Sequence, residues 1–238
     1  MIRVAAVGDL HAGADCATVV PTGLDGVSEA ADLLVLAGDL TKAGLPEEAR
    51  CLARALEDVT IPMVAVLGNH DHHSDRPGEV AETLRGVGVH VLEGDGRVFH
   101  IDGAAVGVAG TKGFGGGFAG ASGSDFGEPE MKAFINHTKA LSGRLADALA
   151  ALRADVRIAL LHYSPIPETL QGERLEIYPF LGSYLLAEAI DGAGADLVVH
   201  GHAHAGSERG VTPAGIRVRN VALPVIKQPY RVFQFGTS

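Results

Sequence analysis

Three histidines fall within five positions of "VVHGHAH" (198–204): His200, His202 and His204. A single histidine is ordinarily a hydrogen-bonded structural residue, but this spacing favours metal ligation. If "ADLVV" (195–199) is a strand, Gly201 lets the chain turn sharply without a Cβ clash. His202 and His204 then project from one loop at the strand's C-terminal end, where open α/β sheets place their ligands. Other apolar runs end in the same way. "GDLH" supplies Asp9 and His11, "GDL" supplies Asp39, "GNHD" supplies Asn69, His70 and Asp71, and "LHYSP" supplies His162. Asp and Asn favour turns without any ligand, so "GDL" alone carries little. Turn formation does not select histidine at 11, 70, 162, 202 and 204. A convergence of carboxylate, amide and imidazole groups suits Mn, Fe, Co or Zn and does not choose among them. The chemistry open to such a set is metal-assisted, with a water made acidic by the cations.

The elements that must position these groups are short apolar runs bounded by Gly or polar residues: 2–8, 33–38, 63–68, 97–102, 105–110, 156–161, 196–201, 216–222 and 231–235. Most read as strands buried on both faces. Helical stretches are expected at 22–31, 45–58, 77–86, 129–153 and 181–191. The alternation along the first third of the chain is that of β-α-β units, which predicts parallel strands joined by right-handed crossovers. From 93 to 110, and again after 211, strands follow one another without a helix between them, which suits antiparallel pairing. The sum is an α/β domain with two sheets and outer helices.

A length of 238 residues suits one large domain, taken here as 1–238. No apolar run approaches the ~18 residues that cross a membrane, and the N-terminus does not read as a signal peptide, so a cytoplasmic protein is expected. Two cysteines, Cys16 and Cys51, cannot build a disulfide framework and fit no zinc motif; each is expected to be a small core or surface residue. A formal charge of −10 without a Lys or Arg run disfavours nucleic acid as a partner.

As a set, the five blocks closely resemble the calcineurin-like metallophosphoesterases, whose pattern is D-x-H, G-D, G-N-H-D/E, a lone H and G-H-x-H. All occur here in order, from residue 9 to residue 204. The resemblance implies a four-layer α/β/β/α sandwich with two mixed β-sheets flanked by helices, and two divalent metal ions at the strand ends. It implies that Asp9, His11, Asp39 and His204 hold one ion and that Asp39, Asn69, His162 and His202 hold the other. It further implies that His70 serves the departing oxygen and that Asp71 orients His70. A water shared by two such ions would lose its proton near neutral pH and attack phosphorus.

"GDLTKAG" (38–44) lacks the D-R-G extension of the family's protein phosphatases, and the charge and length do not suit its nucleases. A small-molecule phosphoester remains as the expected substrate, with a phosphodiester favoured by likeness to compact bacterial phosphodiesterases. A monoesterase or protein phosphatase, or a catalytically silent metal-binding scaffold, is the alternative. Specificity is expected from the Gly-rich segment 110–128, whose Phe114, Phe118 and Phe126 suggest a lid, and from 163–182. His72, His73, His90, His100 and His137 are expected to have no part in the site, and His200 to face away from the metals or to support their ligands.

Overall fold

The computed structural model describes residues 1–16, 24 and 26–236. Along the chain the elements are β1 (Ile2–Val7), α1 (Val27–Ala30), β2 (Leu33–Ala37), α2 (Pro46–Leu56), β3 (Met63–Val66), α3 (Pro77–Arg85), β4 (Val89–Leu92), β5 (Asp95–Ile101), β6 (Ala104–Thr111), β7 (Gly117–Phe118), β8 (Ala121–Ser122), α4 (Pro129–Ala151), β9 (Val156–Leu161), α5 (Tyr178–Leu181), α6 (Tyr184–Ala193), β10 (Leu197–His200), β11 (Arg209–Val211), β12 (Arg217–Asn220), α7 (Leu223–Ile226) and β13 (Arg231–Phe235). Of the helix expected at 22–31, residues 22, 23 and 25 lie outside the described residues.

Two large sheets are stacked. One runs β13-β1-β2-β3-β4 and the other β11-β12-β10-β9-β6-β5. β1 to β4 pair in parallel and β13 joins antiparallel to β1. In the second sheet β12, β10, β9 and β6 are parallel, and the edge strands β11 and β5 are antiparallel. Alternation along the strands makes the layers. Val156, Ile158 and Leu160 of β9 and Leu197 and Val199 of β10 point into the core shared with β1 to β4. Ala159, Leu161 and Val198 point the other way, onto Leu145 and Leu149 of α4 and Leu186 and Ile190 of α6. α3 packs on β4 with α2 beside it, and α4 packs on β5 and β6, so helices cover both outer faces. The architecture is the expected α/β sandwich with two mixed sheets. Among the described residues no helix is long and apolar enough to cross a membrane.

Local sequence accounts for the helix starts. α2 opens on Pro46, whose fixed φ suits the first turn. Glu48 reaches back to accept from the backbone N–H of Ala43 at 2.8 Å and of Leu45 at 3.2 Å. Ala49, Leu52 and Leu56 then form its buried face.

Two expectations are corrected. β4, β11 and the two-residue strands β7 and β8 were absent from the strand pattern, β11 because it is a three-residue edge strand with exposed ends. Cys16 and Cys51 are paired as a disulfide, with Cα atoms 4.9 Å apart. The loops after β1 and β2 run side by side, with the Ala12 N–H donating to Leu40 O and the Lys42 N–H to Ala12 O, which brings Cys16 to α2, a proximity that 35 residues of sequence separation conceal.

Candidate metal centre

The C-terminal ends of the parallel strands of both sheets meet at one place. The Gly8 N–H donates to Val221 O at 2.9 Å and ties the end of β1 to the segment after β12. The Asp9 N–H donates to Gly38 O and the His11 N–H to Asp39 O, locking the first two strand ends together. Asp9, His11, Asp39 and His202 all adopt positive φ, between 46° and 70°. That conformation costs a side-chain-bearing residue roughly 1–2 kcal/mol, and such strain is characteristic of functional sites. Close packing also demands glycine here. A Cβ on Gly68 would fall on the Asp39 carboxylate, and one on Gly201 would fall on the Asp9 carboxylate.

Two groups of side chains converge so that one ligand atom from each lies within 4.8 Å of the others: Asp9, His11, Asp39 and His204 in one, and Asp39, His162 and His202 in the other. Asp39 belongs to both. Asn69 joins the second group, its Oδ1 standing 2.9 Å from His162 Nε2. His204 Nε2 is 2.8 Å from Asp9 Oδ1, and His162 Nε2 is 3.3 Å from Asp39 Oδ1. His162 Nδ1 donates to Ala37 O at 2.9 Å, which fixes the ring and turns Nε2 toward Asp39. His11 Nε2 is buried with no hydrogen-bond partner and lies 3.7 Å from Asp39 Oδ2. A buried polar atom with no partner is costly, and a divalent cation between His11 and Asp39 would satisfy it. The residues therefore suit divalent cations of the imidazole- and carboxylate-binding type.

Electrostatics agree with a site built for cations. Burial would raise the Asp39 pKa, yet the neighbouring His162 and the His70 N–H hold it well below the usual carboxylate range. Burial likewise opposes charge on His162, but the Asp39 carboxylate wins and lifts it to about 9. Desolvation pushes His202 down to about 3 and also lowers His11, keeping both imidazoles neutral and able to ligate. His204 is raised by its hydrogen bond to Asp9.

Residues 2–206 match the family described as calcineurin-like phosphoesterase. The chain belongs to that family. Among solved structures it is similar to phosphopantetheinyl hydrolase from Mycobacterium tuberculosis, with a TM-score of 0.66 and 16% identity over 94% of this chain and 90% of that one. It is also similar to a Staphylococcus aureus protein provisionally described as a 5′-nucleotidase, in complex with α-ketoglutarate. There the TM-score is 0.58 and the identity 17%, over 92% of this chain, which spans about half (48%) of the other. At these identities the likeness shows the fold. No curated protein sequence matches the chain.

In this calcineurin-like phosphoesterase the structure gathers all seven expected ligands, but it does not join His70 to Asp71. The His70 ring stands at the site's edge, with Nε2 3.9 Å from Asp39 Oδ2 and Nδ1 2.7 Å from Lys42 O. Asp71 is fully buried and turned away. Its oxygens accept from the backbone N–H of Leu40, Thr41 and Gly68 and from the Thr41 hydroxyl. The expectation that Asp71 orients the His70 ring is thus corrected: the Lys42 carbonyl does so, and Asp71 pins the loops that carry Asp39 and Asn69. His200 is buried outside both groups, hydrogen-bonded to Gly201 O and Thr169 Oγ1 at 2.8 Å each. The Gly-rich segment is only partly lid-like, because residues 111–118 are almost wholly packed inside and 119–128 are largely exposed.

Two residues of the site's surroundings lie in the segments expected to set specificity but were not singled out, and a third was expected to have no part. Tyr163 lies against the His202 ring at 4.4 Å, and His73, expected outside the site, lies against His70 at 4.3 Å. Lys112, immediately after β6, is only 8% exposed. "GTKG" obeys the same pattern that marked the other strand ends, a polar residue beside Gly, and that signal could have found Lys112.

Proposed function

We propose that the chain is a phosphoesterase that hydrolyses small-molecule phosphoesters, diesters in preference to monoesters, with two divalent cations. Asp9, His11, Asp39 and His204 would hold one cation, and Asp39, Asn69, His162 and His202 the other. The observation that carries this reading is the sharing of Asp39 between two ligand groups, with the orphaned His11 Nε2 beside it. When bound, the cations neutralise phosphoryl charge and acidify water. The chain's own part is to aim its ligands through the Ala37 carbonyl and the strained turns, and to offer a proton. His70 Nδ1 donates to Lys42 O, so the nitrogen left to serve the departing oxygen is Nε2. A cavity of about 390 Å³, lined by His11, Gly13, Ala14, Lys42 and Glu48 among others, gives a small ester room beside the first ligand group. The acidic balance of the chain disfavours a polyanionic substrate.

Turnover of bis(p-nitrophenyl) phosphate and p-nitrophenyl phosphate with added Mn²⁺ tests the reading. Hydrolysis of both, faster for the diester, is expected. No turnover of either by protein that retains metal would overturn it in favour of a binding scaffold, and faster monoester turnover would reverse the preference.

A further inference from the structure

The buried Lys112 has no role in the reading above, and its surroundings are unusual. Its ammonium group makes no hydrogen bond or ion pair among the described residues; it lies over the faces of two rings, Phe114 at 4.8 Å and Tyr163 at 5.3 Å, with the Glu93 and Asp39 carboxylates acting on it from further off. Cation–π contact holds the ammonium in place but leaves its three N–H donors unspent. Tyr163 leads directly to the second ligand group, since its ring lies 4.4 Å from His202, which in turn lies 4.8 Å from His162. His72 follows the Asn69–His70 turn, and its Nε2 is a second buried polar atom without a partner. Lys112 is the charge that His72 feels most strongly. Two unspent polar groups from different sheets therefore stand in one another's fields beside the candidate metals, each without a protein acceptor. Buried cations are ordinarily paired with a carboxylate; Glu93 and Asp39 act on Lys112 from a distance but neither makes an ion pair with it, and the direct partner its donors lack is an anion.

We infer that Lys112, with His72, forms an anion-binding wall beside the second metal position and receives a non-bridging oxygen of the substrate's phosphoryl group. This rests on the phosphoesterase reading for its substrate but not for its test. An ammonium held over aromatic faces, with Glu93 and Asp39 close enough to act on its charge but not paired with it, keeps its donors open. It would do the work that the protein phosphatases of the family assign to arginines, which "GDLTKAG" lacks. Phe114, the first aromatic of the Gly-rich segment, gains a reason to be packed inward: it supports Lys112.

The test uses the Mn²⁺-loaded protein and inorganic phosphate as probe. Phosphate affinity by calorimetry, Mn content, Tm and the separate KM and kcat on the aryl diester are compared for wild type, Lys112→Met and Lys112→Arg. Met fills the same space without charge. Loss of a charge-assisted hydrogen bond should weaken phosphate binding roughly 10- to 100-fold, with KM rising more than kcat falls and Mn content unchanged. Arg should restore most of the affinity. His72→Phe should weaken phosphate binding a few-fold, and gives the same readout if Lys112→Met does not fold. Wild-type phosphate affinity in Lys112→Met would overturn the inference, as would a fall in Tm with phosphate binding intact, since Lys112 would then be structural. If the wild type binds phosphate in a Lys112-dependent way yet hydrolyses no ester, the hydrolase reading fails and the anion site stands. If esters turn over and Lys112→Met behaves as wild type, the anion site fails and the hydrolase reading stands.

Discussion

The two histidines that flank the ligand set, His70 and His200, have opposite fates, and geometry says why. His70 is held by one carbonyl, with its Nε2 left at the edge of the site. His70→Gln should keep both metals and lose little on an activated aryl ester, but it should lose on the order of 10²–10⁴-fold on an alkyl ester, whose alkoxide needs a proton. Comparison of the two esters on one preparation cancels errors in metal loading, and equal losses would mean that no proton is transferred. His200, by contrast, is sealed in. Its Nδ1–H is donated to Gly201 O and its Nε2 accepts from Thr169, a pairing that uses the neutral ring completely. Burial drives its pKa down to about 4, with His162 adding to the shift. In the unfolded chain the same ring takes its proton near 6.5. The unfolded state therefore binds the extra proton between about 6.5 and 4, and stability falls as pH drops through that window. His200→Gln should flatten the acid limb of Tm against pH over that range; an unchanged limb would show that another group causes it. The residues that converge as candidate ligands were legible in sequence because each carries its own strand-end motif. Asp71's true partners were not, because they are backbone N–H groups of the loop after β2 and of its own loop, which only the fold brings round the carboxylate.

At the scale of elements, apolar runs were read correctly wherever the strand was central, as for β1, β2, β3 and β9, because burial on both faces leaves an unbroken hydrophobic signal. The signal failed for β11, since edge strands need bury little. It also failed for the Cys16–Cys51 pair, where local pattern holds no record of a crossover. That bridge closes a loop of 35 residues between the turn that carries His11 and the helix after Asp39. Loop-closure entropy gives such a link roughly 3–4 kcal/mol. Cys51→Ser, or reduction of the wild type, should lower stability by an amount of that order and loosen the first ligand group, which denaturant melts with and without reductant, alongside Mn affinity, would record. A reducing compartment would keep both residues as thiols. Equal melts would show that the bridge contributes no stability.

Across the whole molecule the candidate metals span the two sheets: Asp9, His11, Asp39 and Asn69 follow strands of one, and His162, His202 and His204 follow strands of the other. The same gap is also spanned by pairs such as His162 with Asp39 and His204 with Asp9. Chelation should therefore destabilise the fold as a unit, in one transition, because the clamp lies between its halves. For each site, metal at 1,000 times its Kd contributes about 4 kcal/mol, and each 1 kcal/mol moves Tm by roughly 2–4 °C at this size. The increment should also depend on pH. In the metal-free protein Asp39 raises His162 to about 9, so this ring is an imidazolium at neutral pH, and a metal must displace its proton. Because the folded pKa lies above the unfolded value of ~6.5, the metal-free protein keeps the His162–Asp39 stabilisation below pH 6.5 and loses it as pH rises toward 9. The metal-loaded protein has no such proton to lose. The gap in Tm between Mn²⁺ and EDTA should widen steadily from pH 6.5 to 9, and His162→Ala should abolish that slope. A gap that stays level across this range in the wild type would mean that His162 is not displaced from its proton by metal, and would remove it from the ligand set.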